Sequence, residues 1–169
     1  MIKRFAFAAA IAATAAVALA SPAPRVSIAS FAQLATPLPY PYDEQANADA
    51  AVAAARARAK TGHKLLLVDL GGNWCGDCRV LAGTMALPEV RAFVDAHYQV
   101  VTVDVGQFDK NLQIPAHYGI LARLQGVPSL LIVDPRTDRL IDRGHVAALA
   151  DARHMTPQAL ADWLAQWVR

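Results

Sequence analysis

Cysteine is scarce: Cys75 and Cys78 are the only two in 169 residues. Two cysteines cannot build the multi-bridge framework of a small secreted domain, so the pair is expected to work rather than to staple. There is no second C-x-x-C, and the five histidines show no ligand spacing. A four-ligand zinc site is therefore not supported. Methionine and histidine are missing around the pair, which counts against a Cu(I) module. No Lys/Arg-rich block or aromatic-basic stripe occurs, and the formal net charge is only +2. Nucleic acid is accordingly not an expected partner. The 55% hydrophobic content is inflated by alanine and does not argue for a membrane protein. No internal repeat is present. The length suffices for one domain with a real core.

What is there begins with a targeting pattern. Lys3 and Arg4 precede an Ala-rich apolar run, Phe5 to Ala20, which ends in Ala18-Leu19-Ala20 before Ser21. Residues 1–20 read as a signal peptide cleaved after Ala20, which places the mature chain in the periplasm or outside the cell. The rival is an uncleaved anchor, for which the run is short and weakly hydrophobic. No cysteine follows the run, so lipidation there is excluded. Residues 21–42 read as a linker, with prolines at 22, 24, 37, 39 and 41. Residues 43–169 form the expected domain.

Within it, Asp43 to Lys60 is expected to be helical, with acids early and bases late. Lys64 to Leu70 is an apolar strand of the kind buried on both faces. A helix runs from Cys75 to about Met85, and Pro88 starts another. A second strand spans Gln99 to Val105. A polar loop, Gly106 to Pro115, leads into a short helix starting at Pro115 and running through Tyr118 and Leu121. Ser129 to Val133 and Arg139 to Arg143 are the third and fourth strands, joined by a turn. Thr156 caps a last helix whose apolar face carries Leu160, Trp163, Leu164, Trp167 and Val168. Helical crossovers predict parallel pairing of the early strands, and the short turn predicts an antiparallel hairpin. The class is α/β: a mixed central sheet with helices on both faces and an extra N-terminal helix.

The chemistry concentrates at Trp74-Cys75-Gly76-Asp77-Cys78, where the first strand turns into a helix. A dithiol in that context reads as redox-active. The positive end of the helix dipole favours a thiolate at its N-terminus. The second cysteine, one helical turn on, can close a small disulfide ring.

With Asp69 six positions before Cys75, Val127-Pro128 ahead of the third strand and Gly144 after the last, this motif resembles the thioredoxin family. The resemblance covers Lys64 to Arg169. It is greatest to periplasmic thioredoxin-like proteins and the C-terminal domain of the DsbD type. It implies a thioredoxin fold and an exported thiol:disulfide oxidoreductase. It also implies no cofactor beyond the Cys75–Cys78 disulfide, no metal, disulfide-bearing protein substrates, a membrane electron donor of the DsbD type, and a monomer. Three departures stand out: Asp77 replaces the usual proline, the stretch Val105 to Pro115 is longer, and His145 to Met155 is an extra segment.

Cys75 is the expected nucleophile and Cys78 the resolving thiol. Asp69, set among leucines, is expected to be buried, with a raised pKa, and to take the proton of Cys78 directly or through a water. Asp77 either opposes thiolate formation at Cys75 or stands solvated in the first helical turn. Pro128, cis by the resemblance, is expected to set the Val127 backbone beside Cys75, where a partner peptide pairs as an added strand. Trp74 shapes the docking surface, with Gly76 and Asp77 in the same substrate-facing loop. Arg79 lies near enough to offset an acid, although a solvated arginine is the commoner case. Asp69 favours the reducing direction. An oxidase or isomerase, or a soft-metal (copper) binding module, are the alternatives.

Overall fold

The computed structural model describes residues 21–168. The segment expected as a signal peptide, residues 1–20, lies outside them. Helix α1 is Ala48–Thr61, then come strand β1 Leu65–Gly71, helices α2 Gly76–Met85 and α3 Pro88–His97, and strand β2 Tyr98–Asp104. Helix α4 is Gln113–His117, strands β3 and β4 are Ser129–Asp134 and Arg139–Leu140, and helix α5 is Pro157–Ala165. The sheet order is β2-β1-β3-β4. Strand β1 is central and buried along nearly its whole length, as its unbroken apolar run demands.

One face of the sheet packs against α1 through Val52, Ala55 and Ala59, with Leu66, Val68 and Leu70 from β1. The other packs against α2, α3 and α5 through Leu81, Val90, Val94, Leu160 and Leu164. The mixed sheet with helices on both faces and an added N-terminal helix is the expected class. Tyr98 ties α5 to β2, its hydroxyl donating to Leu164 O at 2.6 Å.

Several local expectations are corrected. Helix α1 starts at Ala48 rather than Asp43. The Asp43 carboxylate accepts from Gln45 N in its own turn, and the Asn47 side chain caps the helix through Ala50 N. Strand β2 is parallel to β1, but β3 is antiparallel to it, with Leu70 paired to Ser129. The chain between β2 and β3 stays at the C-terminal edge of β1 and re-enters the sheet there. Helix α4 begins at Gln113, not Pro115, and Leu121 lies beyond it, exposed. Strand β4 stops at Leu140 because Asp142 turns inward. Its Oδ1 accepts from Ile132 N at 3.0 Å, taking the place of a backbone partner. Burial pushes the Asp142 carboxyl up to about 6. Trp167 lies past the end of α5, half-buried.

The proline-rich stretch 21–42, expected as a linker, lies along the domain as a strap. Val26 N donates to Gln158 Oε1 at 2.9 Å, and Leu34 is buried beside Gly83 of α2. Arg79 holds the strap from below. It donates to the carbonyls of Pro39 and Leu38, and its guanidinium stacks 3.9 Å from the Tyr40 ring centre. Arg79 therefore offsets neither Asp69 nor Asp77.

Candidate active site

Strand β1 ends in Gly71, and the turn Gly72-Asn73-Trp74 carries the chain into α2. Gly72 is needed there: a Cβ would stand 2.6 Å from Trp74 Nε1. Cys75 caps α2, its Sγ accepting from Cys78 N at 3.1 Å. Side-chain acceptance of that otherwise orphaned amide is the contact that favours a sulfur anion at a helix N-terminus. Cys75 and Cys78 are joined by a disulfide, with Cα atoms 5.3 Å apart. Cys78 is fully buried, and Cys75 is the more accessible at 4%.

The expected substrate-facing residues come together around Cys75. The Val127–Pro128 peptide bond is cis, and Val127 O lies 3.4 Å from Cys75 Sγ. Trp74 is half exposed. Its indole N–H donates to Gly106 O at 2.8 Å, and its ring meets Phe108 edge-on. Arg123 sits 4.6 Å over the other aromatic, Phe108. The longer stretch after β2 thus borders the dithiol and supports Trp74.

Asp77 fits neither expectation. It is buried, and it is not alone: Arg153 Nε stands 3.1 Å from both carboxylate oxygens, and Arg153 N donates to Oδ1 at 2.8 Å. The arginine comes from the extra segment between the last strand and the last helix. Its side chain also lies beside Gly76. A partnered carboxylate opposes a neighbouring thiolate far less than a bare one.

Asp69 is 2% exposed. Burial raises its carboxyl to about 7, against a hydrogen bond from Tyr42 that pulls it down. The Tyr42 hydroxyl donates to Asp69 Oδ1 at 2.9 Å. Asp69 and Gly71 lie two apart and share one face of β1. A methyl on Gly71 would collide with the Tyr42 hydroxyl and stand 2.8 Å from Cys78 Sγ, so the hydroxyl and the sulfur are neighbours. A cleft of about 290 Å³ between the strap, α2, α3 and β2 reaches Asp69 and is lined also by Thr102, Arg91 and Asp95. Among the described residues, no group of three or more His, Cys, Asp or Glu side chains is placed to hold a metal ion.

Sequence reasoning missed Tyr42, Arg153 and Asn73. Tyr42 sits at the end of a proline-rich run and Arg153 in an extra segment, where residue type alone signals nothing. The charge of Asp77, inside a buried loop, was the one pointer to a missing cation.

The model of the Thioredoxin-like family matches residues 46–135. A protein named thioredoxin from Alicyclobacillus acidocaldarius subsp. acidocaldarius is 34% identical over 71 residues, 42% of this chain. That match spans 59% of the relative's length. The crystal structure of disulphide isomerase from Xylella fastidiosa Temecula1 is 36% identical and superposes with a TM-score of 0.70. That similarity covers 76% of this chain and 97% of the other.

Proposed function

Because the chain belongs to the thioredoxin-like family and is a thiol:disulfide oxidoreductase, we propose that it works in the reducing direction, as an exported protein acting on disulfides of partner proteins. The observation that carries the reading is Asp69, a buried carboxyl raised to about 7 and bonded to the Tyr42 hydroxyl, which borders the same gap at Gly71 as Cys78 Sγ. A resolving thiol needs somewhere to send its proton, and a group poised near the working pH serves best.

The reaction runs in two exchanges. The Cys75 thiolate attacks one sulfur of the substrate disulfide; a Cys75–substrate disulfide forms and the other substrate sulfur leaves as a thiolate, which takes a proton. Cys78 then passes its proton to Asp69 and attacks Cys75 Sγ. The Cys75–Cys78 disulfide forms and the second substrate sulfur leaves as a thiolate, which takes a proton from solvent, while Asp69 gives up the Cys78 proton in turn. Two electrons pass to the substrate. The protein is left oxidised and must be recharged by a dithiol donor, for which a membrane protein of the DsbD type suits an exported chain. The substrate peptide lies on the Val127 edge, with Trp74, Gly76 and Asp77 framing it. The protein acts as a monomer, and export rests on the N-terminal pattern of residues 1–20.

Disulfide isomerisation is a second reading, favoured by the name of the structural relative. It uses the same Cys75 attack but lets the substrate's own thiol resolve the mixed disulfide. Pre-reduced protein mixed with a disulfide-bonded test protein separates the two. Net loss of the substrate disulfide, abolished by Cys75→Ser and arrested as a mixed disulfide by Cys78→Ser, supports reduction. Reshuffling of the bonds that persists in Cys78→Ser supports isomerisation.

A further inference from the structure

We infer that Tyr42 is a positioning residue of the resolving step, holding the Asp69 carboxyl beside Cys78 through its hydroxyl. The inference rests on the proton-accepting role proposed for Asp69 and adds the residue that makes it effective.

Three contacts place Tyr42. Its N–H donates to Asn73 Oδ1 at 3.1 Å, and Asn73 Nδ2 returns a bond to Tyr42 O at 2.8 Å. Asn73 immediately precedes Trp74-Cys75, so the strap is locked in register with the dithiol loop. On the other side, Thr102 Oγ1 donates to Pro41 O at 2.9 Å. The phenol ring is then buried, and its one hydrogen bond goes to Asp69.

A buried phenol needs one hydrogen-bond partner, and a backbone carbonyl would serve for stability. Here the partner is the buried acid, and the hydroxyl and Cys78 Sγ both border the space left by the missing side chain of Gly71. The donor works against desolvation, favouring the ionised carboxylate that must accept the thiol proton. The phenol keeps its own proton, because burial and the carboxylates of Asp69 and Asp104 raise it well above the ordinary tyrosine range. It is therefore a donor at every working pH. The other charged groups near this cluster are Glu44, whose carboxylate accepts from Asn73 Nδ2, Asp104, paired with Lys110, and Arg91 and Asp95 along the cleft that reaches Asp69.

The test is Tyr42→Phe, which keeps the ring and removes the hydroxyl. Reduced protein reacting with a chromogenic aromatic disulfide releases one coloured thiolate on Cys75 attack and a second on Cys78 attack, so the two steps are timed separately. In Tyr42→Phe the second step is expected to slow several-fold at neutral pH, with its inflection moved up by about one pH unit, the worth of one hydrogen bond to a charged group. The first step keeps its rate. Asp69→Asn is expected to abolish the inflection, and Tyr42→Phe to add nothing in that background. An unchanged second-step profile in Tyr42→Phe, or a full effect of Tyr42→Phe in the Asp69→Asn background, overturns the role of Tyr42. An inflection that survives Asp69→Asn overturns instead the role of Asp69.

Discussion

Arg153 grips Asp77 inside the dithiol loop: its Nε lies 3.1 Å from both carboxylate oxygens, and its backbone N–H donates to one of them at 2.8 Å. The acid that replaces the family's usual proline is thus matched by a base from the extra segment ahead of the last helix. Substituting Arg153→Gln is expected to uncover the charge of Asp77, raise the Cys75 thiol pKa by up to about one unit and make the couple more reducing by up to ~30 mV. The arginine is partly exposed, so salt should shrink the difference. Thiolate absorbance against pH checks the first shift. A second substitution, Asp77→Asn, should bring the potential back. An Arg153→Gln protein with an unaltered thiol pKa contradicts the pairing's role.

Asp69 sets a conflict between stability and activity. Its folded-state pKa is raised from the ordinary 3.8 to about 7. The folded state therefore holds that proton more tightly than the unfolded chain does. The stabilisation is complete below about pH 4 and is lost as pH rises through about 7. Asp69→Asn, which cannot ionise, should match the parent near pH 4 and exceed it near pH 8 by a few kcal/mol while resolving mixed disulfides more slowly. Urea midpoints at both pH values measure the gap. A gap that does not widen with pH is inconsistent with a buried, ionising Asp69.

Gly71 is predicted to tolerate no side chain. A methyl there would stand 2.6 Å from Tyr42 Cζ and 2.8 Å from Cys78 Sγ. Gly71→Ala should cost about 1–3 kcal/mol through overpacking and slow the resolving step by displacing both neighbours. Unfolding at one fixed pH, before and after reduction of the disulfide, reads the cost; unchanged stability would mean the cluster is looser than the geometry shows.

The strap depends on Arg79, which donates to Pro39 O and Leu38 O and stacks on Tyr40. Arg79→Ala should raise hydrogen exchange over residues 34–42 while leaving β1 protected. Equal protection in both proteins would show that Tyr42 and Leu34 hold the strap unaided.

Much of this site was legible because its residues carry their chemistry in type and local spacing. Cys75 and Cys78 lie one turn apart, Asp69 interrupts an apolar strand, and Val127-Pro128 precedes another. Tyr42 and Arg153 were not legible. They reach Asp69 and Asp77 across 27 and 76 positions, and a tyrosine after prolines or an arginine in an added segment has no local signature. The same holds for the fold. Apolar runs and caps located α5 and β1 closely. The direction of β3 depended on where a long connection re-enters the sheet, and β4 was cut short by one inward carboxylate, Asp142.

The reducing direction of electron flow is tested most directly by the reduction potential of the Cys75–Cys78 couple, measured by equilibrating the protein in graded dithiothreitol and glutathione buffers. With the Asp77 charge matched by Arg153, the buried proton acceptor on the Cys78 side predicts a value near thioredoxin's, about −270 mV. A value near about −120 mV, that of a strong oxidant, would contradict the account and reverse the direction of electron flow.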